Sequence, residues 1–173
     1  MKGVDMSTGL AVADWIKRIA DDERRRDTVR SRETEIAARK IDLVARHGRR
    51  LIDELRAAVV RDVNAFREEF AGDHGRNVTV DLAPPEGGFA VCKPAPSAAS
   101  LTVTPSRDAS ALVCSYCFSA DGLPPREDRV HITFVDNGDE TLRMKHAGTG
   151  KMFASSDDLS EFLLVPVLTG RPR

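Results

Sequence analysis

Residues 129–146 read RVHITFVDNGDETLRMKH. Val130, Ile132 and Phe134 alternate with Arg129, His131 and Thr133, the period of two that belongs to a strand. Asn137 and Gly138 follow, a dipeptide that tolerates positive φ at both centres of a two-residue hairpin turn. Leu142 and Met144 then fall opposite the apolar side, and Arg143 and Lys145 join His131 and Thr133 on the other. One face is dry and one is wet, which predicts an antiparallel sheet.

Working outward, further β-forming runs stand between turn signals at 77–82, 88–93, 101–104, 111–118, 140–146 and 151–154. Ala147-Gly-Thr-Gly150 makes a turn after the hairpin. Ser155 or Ser156 can cap a helix whose first turn holds Asp157 and Asp158 and whose buried edge is Leu159, Phe162 and Leu163. Pro166 is expected to end that helix or to lie just beyond it.

Upstream the composition changes near residue 72. Residues 9–71 contain no proline and only Gly9 and Gly48, whereas residues 73–173 hold all nine prolines and all three cysteines. Strong helix formers give way to turn formers and β-branched residues. The chain is therefore read as a helical arm, 1–72, followed by a β-rich domain, 73–173. The fold class is α+β: a long N-terminal helix, an antiparallel sheet of five to seven strands, and a short C-terminal helix packed on the sheet.

An unbroken helix over 9–71 would be about 90 Å long, more than the width of a domain of ~100 residues. Part of it must project, pair with another chain or fold back, and Gly48 is the one position suited to a break. From Ala37 an apolar stripe runs through Ile41, Val44, Gly48, Leu51, Leu55, Val59, Val63, Phe66 and Phe70. Its mean step of about 3.67 is that of a straight helix, not of a left-handed coiled coil. Residues 37–70 should cover the β-rich domain or join two of them. Residues 21–35 offer no such face: 11 of 15 are charged and Val29 is the only aliphatic one. They suit a solvated helix with pairs such as Asp22–Arg26 and Asp27–Arg30. Before them, Leu10, Val12, Trp15, Ile16 and Ile19 make a short apolar patch that needs a partner, in a second subunit or another protein.

The 173 residues are 41% hydrophobic and 31% charged, with a net charge of −1. Residues 1–72 carry 16 Lys and Arg against 14 Asp and Glu, and residues 73–173 carry 10 against 13. Bulk charge selects no partner. No apolar run approaches the roughly 20 residues of a membrane span, and the first 26 residues lack the apolar stretch and cleavage site of a signal peptide. Three cysteines suit a reducing compartment better than a disulfide scaffold. The expected location is the cytoplasm.

Motifs that carry chemistry are thin. Cys114-Ser-Tyr-Cys117 lies inside an apolar strand, where residues three apart face opposite sides, and a second ligand pair is missing. The thiols are read as structural. Gly148-Thr-Gly-Lys151 is not a phosphate loop, because Lys145 stands where its first glycine belongs and Met152 where its Ser or Thr belongs. The arginines at 24–26, 30, 32, 46, 49 and 50 interleave with acids and have no aromatic residues among them to stack bases. His131 and His146 are assigned to the wet side of the hairpin, with Asp139 or Glu140 as their candidate partners across the strands. No catalytic, cofactor-binding or metal residue is assigned. The expected function is a non-enzymatic protein that self-associates through its N-terminal helix and acts in assembly or binding. Its rivals are a nucleic-acid-binding oligomer using the arginines, and a ligand-binding domain or enzyme with a site on the sheet near His131 and His146.

Overall fold

The computed structural model describes residues 13–84, 87–95 and 97–173. The fold is α+β. Helix α1 (Asp14–Glu69) is followed by a short 3₁₀ turn (His74–Arg76) and seven strands: β1 (Thr79–Asp81), β2 (Phe89–Lys93), β3 (Ala98–Pro105), β4 (Ala111–Ser119), β5 (Arg126–Asp136), β6 (Leu142–His146) and β7 (Met152–Phe153). Helix α2 (Ser156–Thr169) closes the chain. The strands form one antiparallel meander in sequence order, β1 to β7. The chain divides into two compact units, residues 1–39 and 40–173. Composition changes at 72, but packing changes at 39–40, because the second half of α1 belongs to the core of the sheet.

Within residues 40–173, one face of the sheet is apolar. Leu101 and Val103 of β3, Leu112 and Cys114 of β4, Ile132 and Phe134 of β5 and Met144 of β6 are all buried. Leu55, Val59 and Val63 of α1 and Leu159, Leu163 and Val167 of α2 complete this core. The predicted stripe on α1 needs two corrections. Ala37, the predicted start of the stripe, is exposed, and Ile41 lies on the right side of the helix but is 71% exposed; burial begins instead at Leu43. Phe70 lies beyond the last helical residue and stays partly exposed, with the Arg76 guanidinium 4.7 Å from its ring. Period alone places a residue around a helix and says nothing of where along it the covering sheet starts and stops.

Gly48 does not break the helix, which runs through it without interruption. Its lack of a side chain admits the β3–β4 turn: a Cβ there would lie 2.9 Å from the Ala109 carbonyl oxygen. The hairpin of residues 129–146 has the predicted faces and a different turn. Asp136 pairs with Leu142, so five residues connect β5 to β6 in place of two. Asp139 accepts from the Thr141 hydroxyl and backbone N–H, and Glu140 takes φ +63°. These side-chain bonds stabilise a longer loop than Asn-Gly alone implies.

Helix α2 begins as expected, with the Ser155 hydroxyl accepting from the Asp158 N–H at 3.2 Å. Pro166 does not end it. The helix continues to Thr169 and closes on Gly170 at φ +65°, with the Arg171 N–H bonded to the Pro166 carbonyl. A proline inside a helix forfeits one bond to the residue four before it. Here both Pro166 and Val167 are buried, and the extra turn brings the Leu168 carbonyl to the Lys93 ammonium, 2.9 Å away. Burial outweighs the local propensity.

Candidate functional site

The apolar patch at the start of α1 is the first candidate. Leu10 and Val12 lie outside the described residues. Trp15, Ile16 and Ile19 fall within two turns of one helix and are 59%, 43% and 53% exposed. Val29 and Ile36 are also exposed further along. Ile36 was not part of the predicted patch, although its seven-residue spacing from Val29 could have found it. Every described residue from 13 to 39 is exposed except Ala20, which is half-buried.

The charged middle of this unit is held by short-range pairs. Arg24 meets Asp21 at 2.7 Å, Arg25 meets Asp22 at 3.8 Å, Arg26 meets Glu23 at 2.7 Å and Arg30 meets Asp27 at 3.8 Å. Asp22 thus pairs with Arg25 and not with Arg26 as the sequence suggested. Spacings of three and four residues both bring side chains together on a helix, and the observed set uses three. The Thr28 and Thr34 hydroxyls donate to carbonyls one turn back. Four of the arginines proposed for phosphate contact are therefore engaged by their own neighbours.

The second candidate is an open cleft of about 600 Å³ between α1 and β6, β7 and the start of α2. Four of its six polar side chains, Glu54, Arg61, Ser155 and Asp157, are occupied. The Arg61 guanidinium donates to Asp62 at 2.7 Å and to Asp157 at 3.0 Å, and these carboxylates raise its pKa above the ordinary arginine value. Glu54 accepts from Arg50, and the Ser155 hydroxyl caps α2. The buried Ser160 hydroxyl donates to Asp62 at 2.7 Å. This network ties α2 to α1. The one hydroxyl it holds against a carboxylate, Ser160 on Asp62, is fully buried and closed to a substrate.

The histidine constellation is not assembled. His131 is exposed on the outer face of β5, whereas His146 lies opposite Ile132 and so points to the core side. Its ring stands edge-on to Phe162, 5.6 Å away, and its Nδ1 accepts from the Thr149 N–H. The alternation that puts Leu142 and Met144 inward also puts His146 inward, so its assignment to the wet face is corrected. Asp139 and Glu140 sit in the loop between β5 and β6, at the other end of the hairpin from His146.

Cys114 is buried, and burial pushes its thiol up to about 12. A thiol so placed is unreactive. Cys117 is half-buried on the opposite face of β4, and Cys92 is exposed on the same outer face, separated from it by Ser100 of β3. Two strand spacings, about 10 Å, keep that pair apart. Among the described residues no group of three or more His, Cys, Asp or Glu side chains is placed to hold a metal ion, and no helix is long and apolar enough to cross a membrane.

Lys93, missed at the level of sequence, is the one buried charged side chain among the described residues. Burial, with the nearby Arg76 charge, lowers its pKa. It is the last residue of β2 and donates to the Leu168 carbonyl near the C-terminus of α2, a cation at the negative end of a helix. Its role is architectural. Comparison with protein-family models, curated proteins and solved structures gives no match.

Proposed function

We propose that this chain is a cytoplasmic, non-enzymatic assembly or binding protein that associates with further copies of itself through its N-terminal helix. The observation that carries the reading is the exposure of Trp15, Ile16 and Ile19 on a helix whose described residues 13–39 contribute nothing to the core. A large indole and two isoleucines within two turns of each other gain about 1.5–3 kcal/mol each on full burial, and a second copy supplies that burial. The pairing of Glu54, Arg61 and Asp157 in the cleft and the separation of His131 from His146 weigh against a catalytic site on the sheet. The internal pairing of Arg24, Arg25, Arg26 and Arg30 weighs against a free phosphate-binding ridge.

Light scattering of the full chain tests the proposal. A mass of twice 18.9 kDa or more is expected, falling to one copy in a Trp15→Ala, Ile19→Ala variant. A single-copy mass at all concentrations for the unaltered chain would overturn the reading.

A further inference from the structure

Set out in sevens, residues 14–48 form a repeat. Arginine recurs at 18, 25, 32, 39 and 46, and Asp14, Asp21, Glu35 and Asp42 stand four residues ahead of four of them. Trp15, Val29 and Ile36 recur on the same interval, with Asp22 as the polar member of their column. Ile19, Arg26 and Glu33 form the companion column four residues later. All of these from 15 to 36 are exposed on α1. A seven-residue interval drifts only about 20° per repeat around a helix. Trp15, Ile19, Asp22, Arg26, Val29, Glu33 and Ile36 therefore share one side, in the alternating three and four spacing of a coiled-coil seam.

The charges in that seam decide the orientation. In a parallel, in-register pair every seam residue meets its own copy, so Asp22, Arg26 and Glu33 each face a like charge. In an antiparallel pair, residues equidistant from the two-fold axis meet. With the axis at residue 24, Ile19 faces Val29, Asp22 faces Arg26, and Trp15 faces Glu33. Apolar meets apolar, carboxylate meets guanidinium, and an indole N–H donor meets a carboxylate acceptor. Two-fold symmetry makes each contact twice. We infer that the arm pairs antiparallel with the arm of a second copy in this register, an inference that rests on the self-association proposed above. In the single arm Asp22 lies 3.8 Å from Arg25 and Arg26 lies 2.7 Å from Glu23. A carboxylate and a guanidinium each have capacity for a second partner. On the two flanks of the seam Arg25 and Glu23, each one residue from the axis, lie close to their own copies, and Asp22 beside Arg25 and Arg26 beside Glu23 offset that repulsion. Because the seam ion pairs are partly solvated, pairing weakens as salt rises.

A charge swap in the full chain tests the orientation by light scattering against concentration. Arg26→Glu places carboxylates opposite each other twice and weakens dimerisation by about tenfold or more. Adding Asp22→Arg restores it, because the two signs are exchanged across the axis. A parallel pair would keep like charges facing at both positions and would not recover. Cysteine cross-linking gives an independent reading in a Cys92→Ser, Cys117→Ser background. Ile19→Cys with Val29→Cys links two copies on oxidation, whereas Val29→Cys alone does not, since its copies lie about 15 Å apart along the axis. A dimer that Val29→Cys alone can link, or that the double swap fails to restore, overturns the antiparallel register and leaves self-association standing. A single-copy mass for the unaltered chain removes both.

Discussion

One helix contains two kinds of residue environment. Between 14 and 39 it is exposed, charged and patterned in sevens; between 40 and 69 it buries Leu43, Val44, Leu55, Val59 and Val63 against the sheet. The first stretch is held by backbone bonds and pairs such as Arg24 with Asp21, each worth a few tenths of a kcal/mol. The second is held by apolar area. Helix formation is thus common to both, and what differs is the use of the surface. One surface has become core within the same chain, and the other presents an indole, isoleucines and alternating charge to whatever lies outside it.

The contrast is most exposed to failure at its buried end. Leu55→Ala removes a fully buried side chain of α1 and should cost about 2–5 kcal/mol, read as a lower urea midpoint at unchanged slope. An equal loss from Ile36→Ala, on the exposed stretch, would erase the distinction. Gly48→Val comes next. A side chain there meets the Ala109 carbonyl, so the variant should lose about 1–3 kcal/mol by overpacking although valine is the better helix former. A more stable variant would show that the β3–β4 turn yields easily. Ser160→Ala strips the hydroxyl from Asp62 and should cost roughly 1 kcal/mol, measured by the same denaturation.

Acid gives a smaller and more local test at that turn. Hydrogen bonds from the Ser106 and Ser110 hydroxyls lower the Asp108 pKa to about 2 from the ordinary 3.8. Its contribution to stability is present above 3.8 and is lost as pH falls through about 2. Asp108→Asn should therefore lower the neutral melting midpoint and flatten the low-pH side of the profile, the two proteins converging as pH falls to about 2. The smallest effect belongs to the arm. Trp15→Ala with Ile19→Ala should move the unfolding midpoint of the sheet unit by less than about 0.5 kcal/mol at protein concentrations where no pairing occurs. A larger shift would mean that the patch is part of that unit's core.

Much of this architecture could be read directly. Alternation in residues 129–135 placed Val130, Ile132 and Phe134 inward, because side chains of a strand point to opposite faces without any knowledge of the fold. The cap at Ser155, the turn at 147–150 and the opposed faces of Cys114 and Cys117 follow from the same short-range geometry. The errors differ in cause. The burial of Pro166 inside α2 and the exposure of Ile41 depend on partners distant in sequence, whereas the extra length of the β5–β6 loop comes from local bonds between Asp139 and Thr141. The histidine pairing was a different case, since the period that fixed Met144 already sent His146 inward.

By itself the sequence determined which segments are helix and which are strand, which side of each is apolar, and that residues 21–35 have no face for a core. These are properties of backbone geometry and of the spacing of a few residue types. The tertiary structure alone decided that packing changes at 39–40, that Gly48 admits a turn and makes no hinge, and that Lys93 ends on the Leu168 carbonyl of α2. Such facts depend on which surfaces meet, and that is settled by the summed burial of distant segments, where one local preference, even a proline's, is small against the area it helps to cover.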